Sequence, residues 1–448
     1  MTRCFAKKNW ASKLPCLLAL PAFAGAVMGL GNAAQAQNYN VLYSFGGDYG
    51  MTGTSPVGSL ITSGGYLYGM TGGGGAYSNG TIFAFNTTNN TPRVLHSFAR
   101  GTTDGLYPED SLLASGSYLY GVTDAGGANG LGTIFSCNIS TGSETLVYSF
   151  AGGPVDGSAP HSSLIESGSM FYGTTYSGGV WTPYVTPSPI NTGAIYSFNP
   201  SNNSQSVLHS FSGYNNALNP MGSLVASGGY LYGMTQFGPY PSPNEGTIYS
   251  YNVSTHAETL LYAFAGGPYT NNPNDGGFGP YINGTPTASL IASGSYLYGM
   301  TYYGGSNDDG TIFSYNINTH AETLLYSFGD NPNDGANPLG SLIASGGYLY
   351  GMTSSGGANN EGAIISFNLN TDVETVLHSF GSGTDGAYPD GDLLLVGSTL
   401  YGMTEGGGAD EGYGTIFSLT VPEPGSLALL ALGALGLAAR RRSSRTLR

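Results

Sequence analysis

The stretch "SGGYLYGMT" at residues 63–71 returns as "SGSYLYGVT" (115–123), "SGSMFYGTT" (167–175), "SGGYLYGMT" (227–235), "SGSYLYGMT" (293–301), "SGGYLYGMT" (345–353) and "VGSTLYGMT" (396–404). Its Tyr-Gly pairs begin at 68, 120, 172, 232, 298, 350 and 401, so the spacings are 52, 52, 60, 66, 52 and 51 residues. That period is near the length of blade-type repeats.

The same grammar fills each interval. A "GTIF" segment or a variant of it follows at 80–83, 132–135, 193–196, 246–249, 310–313, 362–365 and 414–417. A "VLHSF"-type segment comes next at 94–98, 146–150, 207–211, 260–264, 324–328 and 376–380, and a "SLI"-type segment leads into the next Tyr-Gly. Each unit therefore offers four short strands: a (Ser-Leu-Ile), b (Tyr-Leu-Tyr-Gly-Met-Thr), c (Gly-Thr-Ile-Phe-Ser) and d (Leu-Leu-Tyr-Ser-Phe). Glycine pairs such as Gly64-Gly65 suit two-residue hairpin turns that need positive φ. In strand b the tyrosines are expected on one face and Leu and Met on the other, both buried against neighbouring sheets.

Four-stranded antiparallel units of about 50 residues around an axis make a β-propeller. The ends favour a closed ring over the alternative, an open β-solenoid. The chain after residue 37 starts with a lone d strand, "VLYSF" (41–45), and its seventh unit stops after c, at "GTIFSLT" (414–420). Pairing the two removes an open edge that would invite aggregation. The expected architecture is all-β, a seven-bladed propeller over 37–420 closed by its N-terminal strand.

The two ends read differently. Residues 1–36 combine Arg3, Lys7, Lys8 and Lys13 with an apolar run and finish on Ala34-Gln35-Ala36, the pattern of a secretory signal peptide. Between 37 and 420 only Arg93 and Arg100 stand against 25 acidic residues, a net of −23. Such a surface repels nucleic acid and anionic lipid, which are held mainly by Lys and Arg. Cys137 is the one cysteine outside the leader, so no internal disulfide is expected. The tail, 421–448, carries an apolar run from Leu427 to Ala439, about 20 Å as a helix against a hydrocarbon core of ~30 Å. The membrane is therefore expected to be met only through this tail.

Two resemblances rest on these residues. Val421-Pro422-Glu423-Pro424, the apolar run, and Arg440, Arg441 and Arg442 in that order resemble the PEP-CTERM sorting signal of exopolysaccharide-producing Gram-negative bacteria. The resemblance implies transient anchoring in the inner membrane, recognition and cleavage by an exosortase, and release to the envelope or extracellular matrix; a plain tail anchor is the alternative. "DGANPLGSLIASGGYLYGMTSSGGANNEGAIISFNLNT" (334–371) is similar to the GloVer tandem repeat of secreted bacterial proteins. That similarity implies a propeller and no particular chemistry.

In a repeat, what all copies share serves the fold, and departures are the functional candidates. The b–c and d–a loops vary in length and open on one face. They hold Trp181, Tyr184, Phe237, Tyr240, Tyr269, Phe278 and Tyr281 in insertions over units three to five. These rings suit stacking on sugar rings, which makes extracellular polysaccharide the expected partner, against packing of the loops on themselves. The d–a connections repeat an Asp-Gly-x-x-Pro frame at Asp104, Asp156, Asp334 and Asp385. The frame reads either as a side-chain turn or as carboxylates for Ca²⁺, which wants six to eight oxygens. His96, His209 and His378 replace tyrosines of strand d and are expected to pack there, and His256 and His320 to be solvated in c–d turns. No catalytic motif is present. Glu109, Asp110, Glu166 and Glu405, with His161, are expected on the b–c/d–a face, where two carboxylates could serve glycan cleavage. The reading is a binding or structural module, with a glycan lyase or hydrolase as the alternative.

Overall fold

A computed structural model describes residues 38–421 apart from 47–49, 109, 154–155, 180–191, 212–217, 239–245, 265–288, 382 and 410–411. The leader, Pro422, Glu423, Pro424 and the three tail arginines lie outside the described residues. Among the described residues no helix is long and apolar enough to cross a membrane.

Seven four-stranded antiparallel blades follow one another, each in the order a-b-c-d. In blade 1 these are Thr54–Ser63, Tyr66–Gly73, Thr81–Asn86 and Thr91–Ser97. Blade 7 takes a, b and c from Leu394–Val396, Thr399–Thr404 and Thr415–Thr420, and its d strand is Tyr39–Ser44 from the start of the chain. The closing pair runs from Tyr39 opposite Leu419 to Ser44 opposite Thr415. It carries a bulge at Leu42, between Val41 and Tyr43, as the covalently continuous blades do at Val147 and Leu325. The borrowed strand thus meets the geometry of a native one.

The core lies between blades. One cluster joins Tyr68, Met70 and Ile82 of blade 1 to Leu112, Leu119, Phe135 and Cys137 of blade 2, whereas Leu67 belongs to the cluster between blades 7 and 1. This corrects the expected facing of strand b. Strict alternation along a strand puts Met70 with the tyrosines and leaves Leu67 opposite. The alternation also explains the repeated glycine. A Cβ on Gly69, Gly121 or Gly402 would sit 2.7, 2.4 or 2.4 Å from the ring tip of Phe83, Phe135 or Phe417 on the neighbouring c strand. Tyr-Gly recurs because six blades lay an aromatic ring across their own b strand at that point; in blade 6 the c strand has Ile365 there, and Leu342 and Met300 crowd Gly351 instead.

A second glycine works between blades. The glycine that opens strand c has φ near +97 to +99° at Gly80, Gly132, Gly310, Gly362 and Gly414. Its hypothetical Cβ would press on the proline that opens the next blade: Pro108 for Gly80, Pro160 for Gly132, Pro338 for Gly310 and Pro389 for Gly362. Gly414 meets Pro56 in the same way, so the ring closes with the contact used elsewhere.

Candidate functional site

At the axis, each blade contributes the residue preceding the leucine of its a segment. The amide of Ser59 donates to Ser111 Oγ at 2.8 Å, Ser111 to Ser163 at 2.9 Å, Ser163 to Ser223 at 3.0 Å, Ser223 to Ser289 at 2.6 Å and Ser289 to Ser341 at 2.9 Å. Ser341 donates to Asp392 Oδ1, and the Asp392 amide returns to Ser59 Oγ at 2.8 Å, which completes the circle. The cavity inside this ring holds ≈ 30 Å³, room for about one water. The axis is therefore a floor.

Above that floor, on the b–c/d–a face, the blades differ from one another. The residue after the b-strand threonine is Asp124, Tyr176, Gln236, Tyr302, Ser354 or Glu405 in blades 2 to 7. His161 Nε2 lies 3.0 Å from Asp124 Oδ1, and its ring meets Tyr176 edge-on at 5.5 Å. Tyr176 donates its hydroxyl to Gln236 Oε1 at 3.1 Å, so one polar chain spans three blades. Burial raises the pKa of Tyr176 and, with its neighbour Tyr303, that of Tyr302, so both hydroxyls stay protonated donors. Asp110 and Asp390 are buried beside the axial cavity.

The rim of this face carries backbone strain. The residue before the blade-opening proline has positive φ in six blades: Ser55, Tyr107, Ala159, Asn219, Asn337 and Tyr388, between 50 and 57°. Asparagine tolerates that conformation, but for a bulky residue it is an outlier. Tyr107 and Tyr388 hold it nonetheless, and the two residues are 50% and 51% exposed. The sequence reading passed over both. The signal is a tyrosine in the Asp-Gly-x-x-Pro frame where other copies have Ala or Asn.

Of the aromatic residues expected to bind, Phe237 is described. It is half-buried at the end of strand b in blade 4, and its carbonyl accepts from Thr235 Oγ1 at 3.0 Å. Trp181, Tyr184, Tyr240, Tyr269, Phe278 and Tyr281 lie outside the described residues, as does Glu109. Glu166 is not on the expected face. It pairs with Phe171 beside the a–b turn, at the opposite end from His161, because a and b are joined there.

The four turn aspartates occupy separate blade junctions, and each has its carboxylate engaged within the protein. Asp156 accepts from Tyr148 Oη at 2.9 Å and the amides of Ala151 and Gly157 at 2.7 and 2.8 Å. Asp334 accepts from Tyr326 Oη at 2.8 Å and the amides of Gly329 and Gly335 at 3.0 and 2.8 Å. His96 and His378 take the tyrosine's place toward Asp104 and Asp385, at 3.3 and 3.0 Å. Two features read separately in the sequence, the d-strand His or Tyr and the turn aspartate, are one latch. Burial works against the charge of both Asp104 and Asp334. His96 and two amides outweigh it and lower Asp104, whereas Asp334 stays raised. Cys137 is fully buried, and desolvation first and Glu144 second push its thiol up to about 11, leaving it unreactive. His256 and His320 are exposed yet share hydrogen bonds of 2.8 and 2.9 Å with Tyr251 and Tyr315.

The opposite face holds a feature the sequence reading missed. A groove of ≈ 390 Å³ between blades 4 and 5 is lined by Tyr230, Tyr232, Leu261, Ile317 and His320. Tyr230 belongs to the set formed by the first tyrosine of strand b, of which Tyr66, Tyr118 and Tyr296 are also about two-fifths exposed.

Blade count, ring closure and the closed axis define the class: a seven-bladed β-propeller. Residues 23–186 match the Gloeobacter/Verrucomicrobia repeat, and residues 420–442 match the PEP-CTERM protein-sorting motif. The chain thus carries that repeat over residues 23–186 and ends in the sorting motif, which implies recognition by exosortase sorting machinery, export and transient membrane anchoring. No curated protein matches the chain. Among solved structures it is similar to an oligogalacturonate lyase in complex with manganese (12% identity, 87% of this chain and 95% of that one, TM-score 0.54). It is also similar to an oligogalacturonate lyase from Vibrio parahaemolyticus (12% identity, the same coverage, TM-score 0.52). At that identity the likeness is one of fold.

Proposed function

We propose that the protein is an exported binding module of the cell envelope or extracellular matrix that holds polysaccharide on its b–c/d–a face. Tyr107 and Tyr388 carry this reading. An exposed aromatic ring on a left-handed backbone costs of order 1–3 kcal/mol, and such strain clusters at ligand clamps. A flat ring standing off the surface stacks on the apolar face of a sugar. The polar chain from Asp124 to Gln236 supplies hydrogen-bonding groups for hydroxyls, and the −23 charge favours a neutral or cation-bridged glycan over an acidic one. Trp181, Tyr184, Phe237, Tyr240, Tyr269, Phe278 and Tyr281 are assigned to the same platform from their place in the b–c and d–a insertions.

The test is binding of the full chain to a glycan array and to matrix polysaccharide, with and without Ca²⁺, because Asp104, Asp156, Asp334 and Asp385 remain the calcium candidates. The double variant Tyr107→Asn/Tyr388→Asn uses the residue found at the same place in Asn219 and Asn337, so it keeps the turn. It is expected to bind about tenfold more weakly, from about 0.5–1.5 kcal/mol per aromatic contact. Trp181→Ala/Tyr240→Ala is expected to add to that loss. Tyr230→Ala, on the other face, is the control. Loss in Tyr230→Ala alone would move the site to the groove, and no binding by any form would sink the reading.

A second reading has its own observation. The His161–Asp124 pair at 3.0 Å is the arrangement by which a carboxylate orients an imidazole for proton transfer. It supports glycan cleavage, by a lyase or a hydrolase. Product analysis of the bound glycan with His161→Gln separates the two: chain shortening that the variant abolishes would make the protein an enzyme.

A further inference from the structure

The latch between strand d and the d–a turn has a third member, the first inward residue of strand d in the next blade. It is Gln205 beside Tyr148 and Asp156, Glu374 beside Tyr326 and Asp334, and Tyr39 beside His378 and Asp385. Where the ring closes, Tyr43 bonds Thr52, and the corresponding strand position is Pro92. Between blades 1 and 2 the three are His96, Asp104 and Glu144. Their nitrogen and carboxylate atoms all lie within 4.8 Å of one another, the one such group of three among the described residues.

We infer that His96, Asp104 and Glu144 form a binding site for a divalent first-row transition-metal ion, buried at the outer seam between blades 1 and 2. Comparison of the copies is the first support. Asp156, Asp334 and Asp385 share the aspartate, His378 the histidine and Glu374 the glutamate, but each of the other seams just named has at least one residue that is not a common metal ligand; here a ligand stands at all three positions. The geometry is the second. His96 Nε2 stands 3.3 Å from both oxygens of Asp104, longer than the 3.0 and 3.1 Å of the His378–Asp385 latch. Ligand atoms around a four-coordinate ion bonded at about 2.0–2.2 Å lie about 3.3 Å apart. The third is Glu144 Oε1, which is buried and has no hydrogen-bond partner, a costly state for a polar atom.

One imidazole and two carboxylates favour Zn²⁺, Mn²⁺ or their neighbours. Ca²⁺ and Mg²⁺ are disfavoured, since they call for oxygen ligands throughout. Side chains of His96 and Asp104 are 21% and 11% exposed, which leaves a path for the ion and for water as a further ligand. Burial pushes the Glu144 carboxyl up to about 7, and His96 and Asp104 are the charged groups that act on it. Bound there, the ion would rivet blade 1 to blade 2 and act on stability.

Two variants copy residues found at the same positions of other seams. His96→Tyr recreates the tyrosine latch, and Glu144→Gln recreates the glutamine of Gln205. The experiment is titration of the chelator-treated full chain with Zn²⁺, Mn²⁺ and Ca²⁺ by calorimetry, with thermal unfolding beside it. The expected result is one tightly bound Zn²⁺ or Mn²⁺ per chain and a raised melting temperature. Each variant should bind at least tenfold more weakly and lose that rise, while its metal-free melting stays near that of the unaltered chain. No binding of Zn²⁺ or Mn²⁺, Ca²⁺ bound in preference to both, or unchanged binding in both variants would overturn the assignment.

Discussion

At the axis, blade joins blade through one hydrogen bond repeated seven times, from serine to serine in five links and through Asp392 in the last two. At the rim the corresponding joint is His96–Asp104–Glu144 in one seam, Tyr148–Asp156–Gln205 in the next and Tyr326–Asp334–Glu374 in another. The difference follows from distance to the axis. Close to it the backbones nearly touch: a Cβ on Gly391 would lie 1.9 Å from the Gly58 carbonyl oxygen, and one on Gly340 would lie 2.1 Å from that of Gly391. At the rim the blades splay and whole side chains fit between them. The axis therefore admits one solution and the rim admits several, which leaves the rim free to acquire a site.

Cutting away residues 39–44 should have the largest effect, because it leaves the c strand of blade 7 as a bare edge. The cost should exceed the marginal stability of a typical fold, about 5–15 kcal/mol. Size-exclusion chromatography should show aggregates in place of monomer; a monomeric, cooperatively unfolding product would mean that the ring does not depend on its closure.

Gly391→Ala tests the axis directly. Overpacking costs about 1–3 kcal/mol, and with backbone oxygen as the obstacle the upper end is expected in urea unfolding. A cost below that of a rim substitution would mean that the axis is no tighter than the rim.

The rim makes stability depend on pH. Burial raises Glu258 to about 7 and, with Asp334's charge, Glu374 to about 8, both above the ordinary 4.5. A carboxyl raised in the folded state contributes fully below about pH 4.5, and its contribution is lost as pH climbs through the folded value. The melting temperature should thus fall from pH 5 to pH 9. Glu374→Gln should flatten the upper part of that fall, by about 1 kcal/mol after allowing for partial exposure. An unchanged slope would show that Glu374 is ionised in the folded chain.

The smallest effect is expected for His378→Tyr. Tyrosine already bonds the turn aspartate in two other blades, so the change should stay within about 1 kcal/mol by thermal unfolding. A larger loss would point to the stacking of His378 on Tyr39, at 3.7 Å between ring centres, as the greater part of that joint.

Much of the fold is legible in the sequence because repetition supplies its own controls. Seven copies give the blade count, the missing seventh d strand gives the closure, and "GTIF" glycines and blade-opening prolines recur together because one packs on the other. The candidate site is less legible. Tyr107 and Tyr388 stand in a turn frame in the sequence, and only the positive φ values set them apart from ordinary loop tyrosines. Met70 was expected beside Leu67, and the pleat places it with Tyr68.

By itself the sequence determined the class, the strand order, the ring and the address written in the tail, since each depends on short-range pattern and on counting. The tertiary structure alone decided which side chains meet. His96 and Asp104 are eight positions apart, but Glu144 belongs to the next blade and reaches them across a seam whose partners no local pattern specifies. The serine circle is of the same kind. Its links join residues 51 to 66 positions apart and, at the closure, 333 apart, so its hydrogen bonds come into being only when the last blade meets the first.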